Sequence, residues 1–144
     1  MSTSVMIEIR STQHMQGETH RTKILCNGTL EQLPDSWLLK YIEQSEGLQG
    51  CQSALHVRDR MVVLTRESKF PLELKLEQDI RHQCTYPTQA GSMQLGVFAQ
   101  LVESNLSHKG GQIKLNYTLA FAAGMTNSNC MEIDITTQKG NTIC

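Results

Sequence analysis

The sequence predicts an all-β protein: a single antiparallel meander of about 8–10 strands closed into a barrel. Three observations carry that expectation. Apolar residues recur at every second position through most of the chain, the period of a half-buried strand. Turn-forming clusters interrupt these runs at short intervals. No segment shows a sustained 3.6-residue period, so there are no crossover helices to support a parallel sheet.

Taken in order, the first element is Val5, Ile7 and Ile9, alternating with Met6, Glu8 and Arg10. After a turn signal at Gly17, a second stretch lies near residues 20–30, and "LPDS" at 33–36 ends it. Trp37, Leu39 and Tyr41 then share one strand face, on which Glu43 also falls. "SEGLQG" at 45–50 is a turn, and paired strands follow near 52–58 and 61–66, joined by "RDR" at 58–60. Leu72, Leu74 and Leu76 alternate with Glu73, Lys75 and Glu77. The stretch 82–90 is ambiguous, because Pro87 would interrupt a central strand and suits an edge. Met93, Leu95, Val97, Ala99 and Leu101 form the next face, with Met93 read as core filler. Beyond "HKGG" at 108–111, Ile113, Leu115, Tyr117, Leu119 and Phe121 alternate with polar or small residues. "AGMTNSN" at 123–129 is a turn before the last strand, Met131, Ile133 and Ile135. A tail after Gln138 carries no pattern, and residues 1–144 read as one domain. A sheet this long hides its edges by closing on itself.

Composition narrows the function classes. A chain of 144 residues is long enough for a packed core without staples. Its 13 basic and 14 acidic residues give a net charge of -1, with no basic run of the kind nucleic acid requires. Apolar runs are short and broken by charges, so no membrane span is expected. "MSTSVMIEIR" has no basic n-region and reads as a strand, not a signal peptide. The five cysteines, Cys26, Cys51, Cys84, Cys130 and Cys144, are widely spaced without zinc-type pairs. They suit reduced thiols and a cytoplasmic location.

An ordered set of short pieces runs along nearly the whole chain: "YIE" at 41–43, "VVLTR" at 62–66, "YPTQAG" at 86–91 and "GQIKLNYTL" at 111–119. In this set the chain resembles the YwiB-like β-barrel family, a bacterial group of unassigned function placed with the calycin-type barrels. The resemblance implies a lipocalin-like barrel, a scaffold that commonly holds small molecules in its mouth or interior; it implies no substrate and no reaction. Two departures stand out. Glu67-Ser68 follows Arg66 where the family often has a glycine turn, and the G-x-W signature of true lipocalins is absent because Trp37 sits in "DSW".

Candidate ligand-binding residues are Trp37, Tyr41, Glu43, Arg66, Tyr86 and Tyr117. If the Trp37 face points inward, Glu43 is a desolvated carboxylate that needs a partner. Arg66 could supply one, because its planar fork can grip a carboxylate bidentately. The same residues also suit a structural pair at the barrel mouth, or a solvated pair at a strand end. His14 and His20 are symmetric about Gly17, so a hairpin there could set them face to face. No third ligand is near, and no metal or cofactor is expected. No nucleophile elbow, Cys/His signature or phosphate loop occurs, and no catalytic residue is assigned.

The leading expectation is therefore a cytoplasmic small-molecule binder without catalysis. Low aromatic content points to a modest aliphatic or carboxylate-bearing ligand. The alternative is an interaction or structural module whose barrel is filled by side chains. An enzyme using Glu43 as acid or base ranks behind both. Either of the first two could form a homodimer.

Overall fold

The computed structural model describes residues 2–43, 50–121 and 124–137. Among these residues ten strands follow one another: β1 (Ser2–Met15), β2 (Glu18–Leu33), β3 (Ser36–Ile42), β4 (Gln52–Arg58), β5 (Met61–Glu67), β6 (Leu72–Glu77), β7 (Arg81–Thr88), β8 (Gly91–Ser107), β9 (Gly110–Phe121) and β10 (Thr126–Thr137). All pair antiparallel in one sheet ordered β6-β5-β4-β3-β2-β1-β10-β9-β8-β7. Read as a ring, that order is sequential. The first and last strands zip together from Val5↔Thr137 to His14↔Ser128, and the sheet's two free edges, β6 and β7, are neighbours in the chain.

The barrel is nearly closed at this β6–β7 seam. At its foot Glu77 and Ile80 form a single bridge, and Gln78 forms another with Ala99 of β8. Further up, side chains span it: Cys84 Sγ donates to the Glu73 carbonyl at 3.0 Å, and His82 Nε2 lies 2.9 Å from Glu77 Oε1. Lys75, Glu73, Pro71 and Pro87 border the outside of the seam. Charge and proline blunt edges that would otherwise recruit further strands.

Alternation places the core as expected. Every strand contributes to it, and Val5, Ile7, Leu39, Val62, Val97, Ala99, Ile113 and Ile133 are at most 1% exposed. Two expectations fail in β8. Met93 is 43% exposed, on the open stretch of the strand that pairs with the β7 edge. Leu101 gives its core position to Val102, because the pairing with β9 shifts between Ala99 and Leu101. A one-residue bulge turns every later side chain to the other face.

Boundaries also move. The stretch 82–90 is a true strand, with Pro87 opposite Ser92, on the edge where a missing N–H costs nothing. "AGMTNSN" is shorter as a turn than expected, since β10 begins at Thr126. The expected turn at 45–50, except Gly50, and the tail beyond 137 lie outside the described residues. At Gly28 the backbone of β3 presses so close that a Cβ would collide with the Lys40 carbonyl and Ile7. Gly28 therefore sets how tightly the wall carrying Tyr41, its cross-strand partner, can curve.

Candidate functional site

The ladder registers build the site. Tyr41 pairs with Ser53, Ser53 with Arg66, and Arg66 with Leu72. One transverse row across β3, β4, β5 and β6 therefore points these four side chains to the same face. Glu43, one pair beyond Tyr41, is held in the sheet's geometry by its N–H donating to the Cys51 carbonyl at 2.8 Å. Strand alternation keeps it inward, and it is only 6% exposed.

A buried polar cluster results. Ser53 Oγ donates to Glu43 Oε2 at 2.6 Å. Arg66 Nη2 approaches the same oxygen at 3.4 Å. The expected two-pronged grip is thus a single long contact, because Ser53 already occupies that oxygen at close range. Arg66 is left under-satisfied: its buried Nε has no hydrogen-bond partner among the described residues. Burial pushes the Tyr41 phenol well above its ordinary value, helped by the Glu43 charge and opposed in part by Arg66 and Ser53. Tyr117, on β9, is raised by burial and pulled back by the Arg66 charge. Both phenols stay protonated at neutral pH and are available as donors. Burial and the Glu43 charge also raise the Cys26 thiol, a poor setting for a nucleophile.

Next to this cluster is a cavity of about 370 Å³, lined by Cys51, Arg66, Ser68, Lys69, Phe70, Leu72, Tyr86 and Pro87. It sits where the β6–β7 seam reaches the barrel end. Tyr41, Glu43, Arg66 and Tyr117 are accordingly one group, and Tyr86 meets them through the cavity wall while remaining 39% exposed. Trp37 does not join them. It lies six residues before Glu43, roughly 20 Å along the strand, and its ring meets His108 edge-on at 5.7 Å.

The sequence reading missed Ser53, Lys69, Phe70 and Leu72. Ser53 shares the parity of Leu55 and Val57, so a small polar residue on an inward face was the available signal. Leu72 was legible by alternation only as a core residue of β6, and Lys69 and Phe70 depend on how the β5–β6 connection folds over the barrel end, which no local pattern encodes. The paired histidines are also resolved differently. The two-residue turn at Gln16 and Gly17, both with positive φ, sets His14 opposite Thr19 and His20 opposite Gln13. That register points the two rings to opposite faces of the hairpin.

With this geometry in hand, comparison with known proteins is informative about the scaffold. A family model described as Domain of unknown function (DUF1934) matches residues 7–133. No curated protein matches the chain. Among solved structures, the crystal structure of ywiB protein from Bacillus subtilis is similar over 94% of each chain, with a TM-score of 0.79 at 15% sequence identity. Identity that low speaks for the fold alone.

Proposed function

The chain belongs to the DUF1934 family and is YwiB-like in fold, and from that premise we propose that it binds a small molecule at the seam-side end of the barrel, without chemistry of its own. One observation carries the reading: a cavity of ligand-binding size borders Arg66, a half-buried arginine whose Nε has no hydrogen-bond partner among the described residues. Cavities with mostly apolar walls and a few convergent polar groups are the usual form of such sites. Tyr41, Glu43, Arg66, Tyr86 and Tyr117 are its proposed residues, with Trp37 outside it. Glu43 serves better as the partner of Arg66 than as an acid or base, since Ser53 and Arg66 already engage one of its oxygens.

Native mass spectrometry of protein purified from its own cells tests the reading. A small-molecule adduct should accompany the wild type and be missing from Leu72→Trp, which fills the cavity. Bare protein in both cases, with no ligand shifting the melting temperature of the wild type, would sink it.

A second reading, an interaction module or homodimer, draws support from a different surface. Met15, Met93, Phe121 and Met125 line a hollow of about 610 Å³ near the opposite ends of β1 and β8. Its Met93 and Met125 are more than 40% exposed, and methionines adapt readily to a partner. Sedimentation of wild type against Met93→Glu would separate the two readings, since only an interface there would respond.

A further inference from the structure

We infer that the cavity beside Arg66 selects a small monocarboxylate with a short apolar body, seated across the β6–β7 seam. This rests on the binding reading above and adds the ligand's class and its mechanical effect.

The charge argument starts at Arg66. Its side chain is 18% exposed, yet among the described residues its one contact with a carboxylate is long and falls on an oxygen that Ser53 holds more closely. Nε is buried with no partner among the described residues. A guanidinium has five donors in a rigid fork, and leaving it desolvated and mostly unpaired is costly. Lys69 adds a second cation at the cavity, with Nζ 5.8 Å from the centre of the Phe70 ring. No acidic side chain lines the cavity among the described residues. An anion is the missing partner.

Shape and surroundings narrow the anion. Phe70, Leu72, Tyr86 and Pro87 give the cavity an apolar wall, which suits a hydrocarbon body more than an inorganic ion. At about 370 Å³ the space is near the lower limit for ligand pockets, too small for a dinucleotide or a long acyl chain. Glu43 stands behind Arg66 and already shares its charge. A dianionic phosphate would meet that repulsion and would press its extra oxygens against apolar side chains. One planar carboxylate matches the fork.

The seam follows from the same residues. Leu72 begins β6, whereas Tyr86 and Pro87 belong to β7. These two strands are the sheet's unladdered edges. A ligand touching both would bridge the gap that the backbone leaves open, and the site would double as a clasp.

The test uses full-length protein titrated calorimetrically with hexanoate, hexanamide and inorganic phosphate, with amide hydrogen exchange followed over β6 and β7. Hexanoate should bind at least about tenfold more tightly than hexanamide, the loss of a charge-assisted pair. It should also slow exchange at both seam edges. The double variant Arg66→Gln with Glu43→Gln, which removes both charges together, should fold and lose the preference. Equal binding of hexanoate and hexanamide would overturn the carboxylate assignment while leaving small-molecule binding intact. Tighter binding of phosphate, or protection confined to the Met93–Met125 hollow, would overturn the assignment as well. If none of the three probes binds, the inference fails, and the adduct experiment decides the wider reading separately.

Discussion

Arg66, half-buried, and Glu43, buried, are a pair in which one member is well served and the other is not, and their energetics should show it. Arg66→Ala leaves the Glu43 carboxylate with Ser53 as its one side-chain partner among the described residues, inside a wall of Tyr41 and core residues. Removing one partner of a buried pair typically costs about 3–5 kcal/mol; with the long contact here we expect about 3. Adding Glu43→Gln to Arg66→Ala should recover more than half of that loss, and urea unfolding of wild type, singles and double measures it. Additive effects below about 1 kcal/mol would mark an ordinary surface pair. The two raised phenols give a second prediction. Their neutral form is the one the fold favours, so their contribution is fully present below the unfolded tyrosine pKa of about 10 and is lost as pH rises above it. In a Tyr86→Phe background only Tyr41 and Tyr117 report. Their ultraviolet phenolate signal should appear together with unfolding and not before it. A reversible phenolate transition near pH 10 in folded protein would show that these rings are not desolvated. This cluster was half legible in the sequence. Tyr41, Glu43 and Tyr117 stood out as polar residues on apolar strand faces, and Arg66 as the partner Glu43 would need, but the approach of Tyr117 to Arg66 is a relation that only closure creates.

Among the elements, the β6–β7 corner has the most specific task. Gln78 N–H donates to the Arg60 carbonyl at 2.9 Å, and Asp79 N–H to the Ala99 carbonyl at 2.8 Å. The Gln78 side chain meanwhile accepts from Val102 N–H at 2.9 Å. That N–H is free to reach Gln78 because the bulge before Leu101 has turned β8. The corner thus fastens the β4–β5 turn to β8 under the open seam. Gln78→Ala should cost roughly 1–3 kcal/mol, the penalty for a buried donor left without an acceptor. Hydrogen exchange should rise first along β6 and β7, where only side chains hold the edges together above the backbone bridge at the foot of the seam. Uniform acceleration over all ten strands would mean that the corner carries no special share of closure. The sequence showed the strands on either side of this corner well, because alternation is a local property. It hid the bulge, since Met93 to Leu101 reads as unbroken alternation until the extra residue is placed against β9. It also left β7 uncertain, because a proline is acceptable in a strand only at an edge, and edges are known only once the order of strands is known.

On the scale of the whole molecule, the order of strands decides how the barrel can form. Nine of the ten strand junctions are hairpins or corners between neighbours in sequence, but β1 and β10 meet across more than 110 residues, from His14↔Ser128 to Val5↔Thr137. Bringing such distant segments together costs loop entropy that only slowly grows with length but must be met before the contact gives anything back. Hairpins within β3, β4 and β5 face no such cost. Folding should therefore build that local wall first and join β1 to β10 late, and the refolding rate should fall in the millisecond-to-second range of barrels rich in distant contacts. Leu55, on β4, and Ile133, on β10, are both essentially buried and so report on the two stages. Leu55→Ala and Ile133→Ala should each cost about 2–5 kcal/mol at equilibrium, enough for φ-values to be read reliably. The loss at Leu55 should appear mainly as slower folding, and the loss at Ile133 mainly as faster unfolding. Stopped-flow chevrons of the two variants distinguish the orders of assembly. A φ near one at Ile133 would mean that the ends of the chain meet first, and that the seam between β6 and β7, not the β1–β10 ladder, is the last part of the barrel to close.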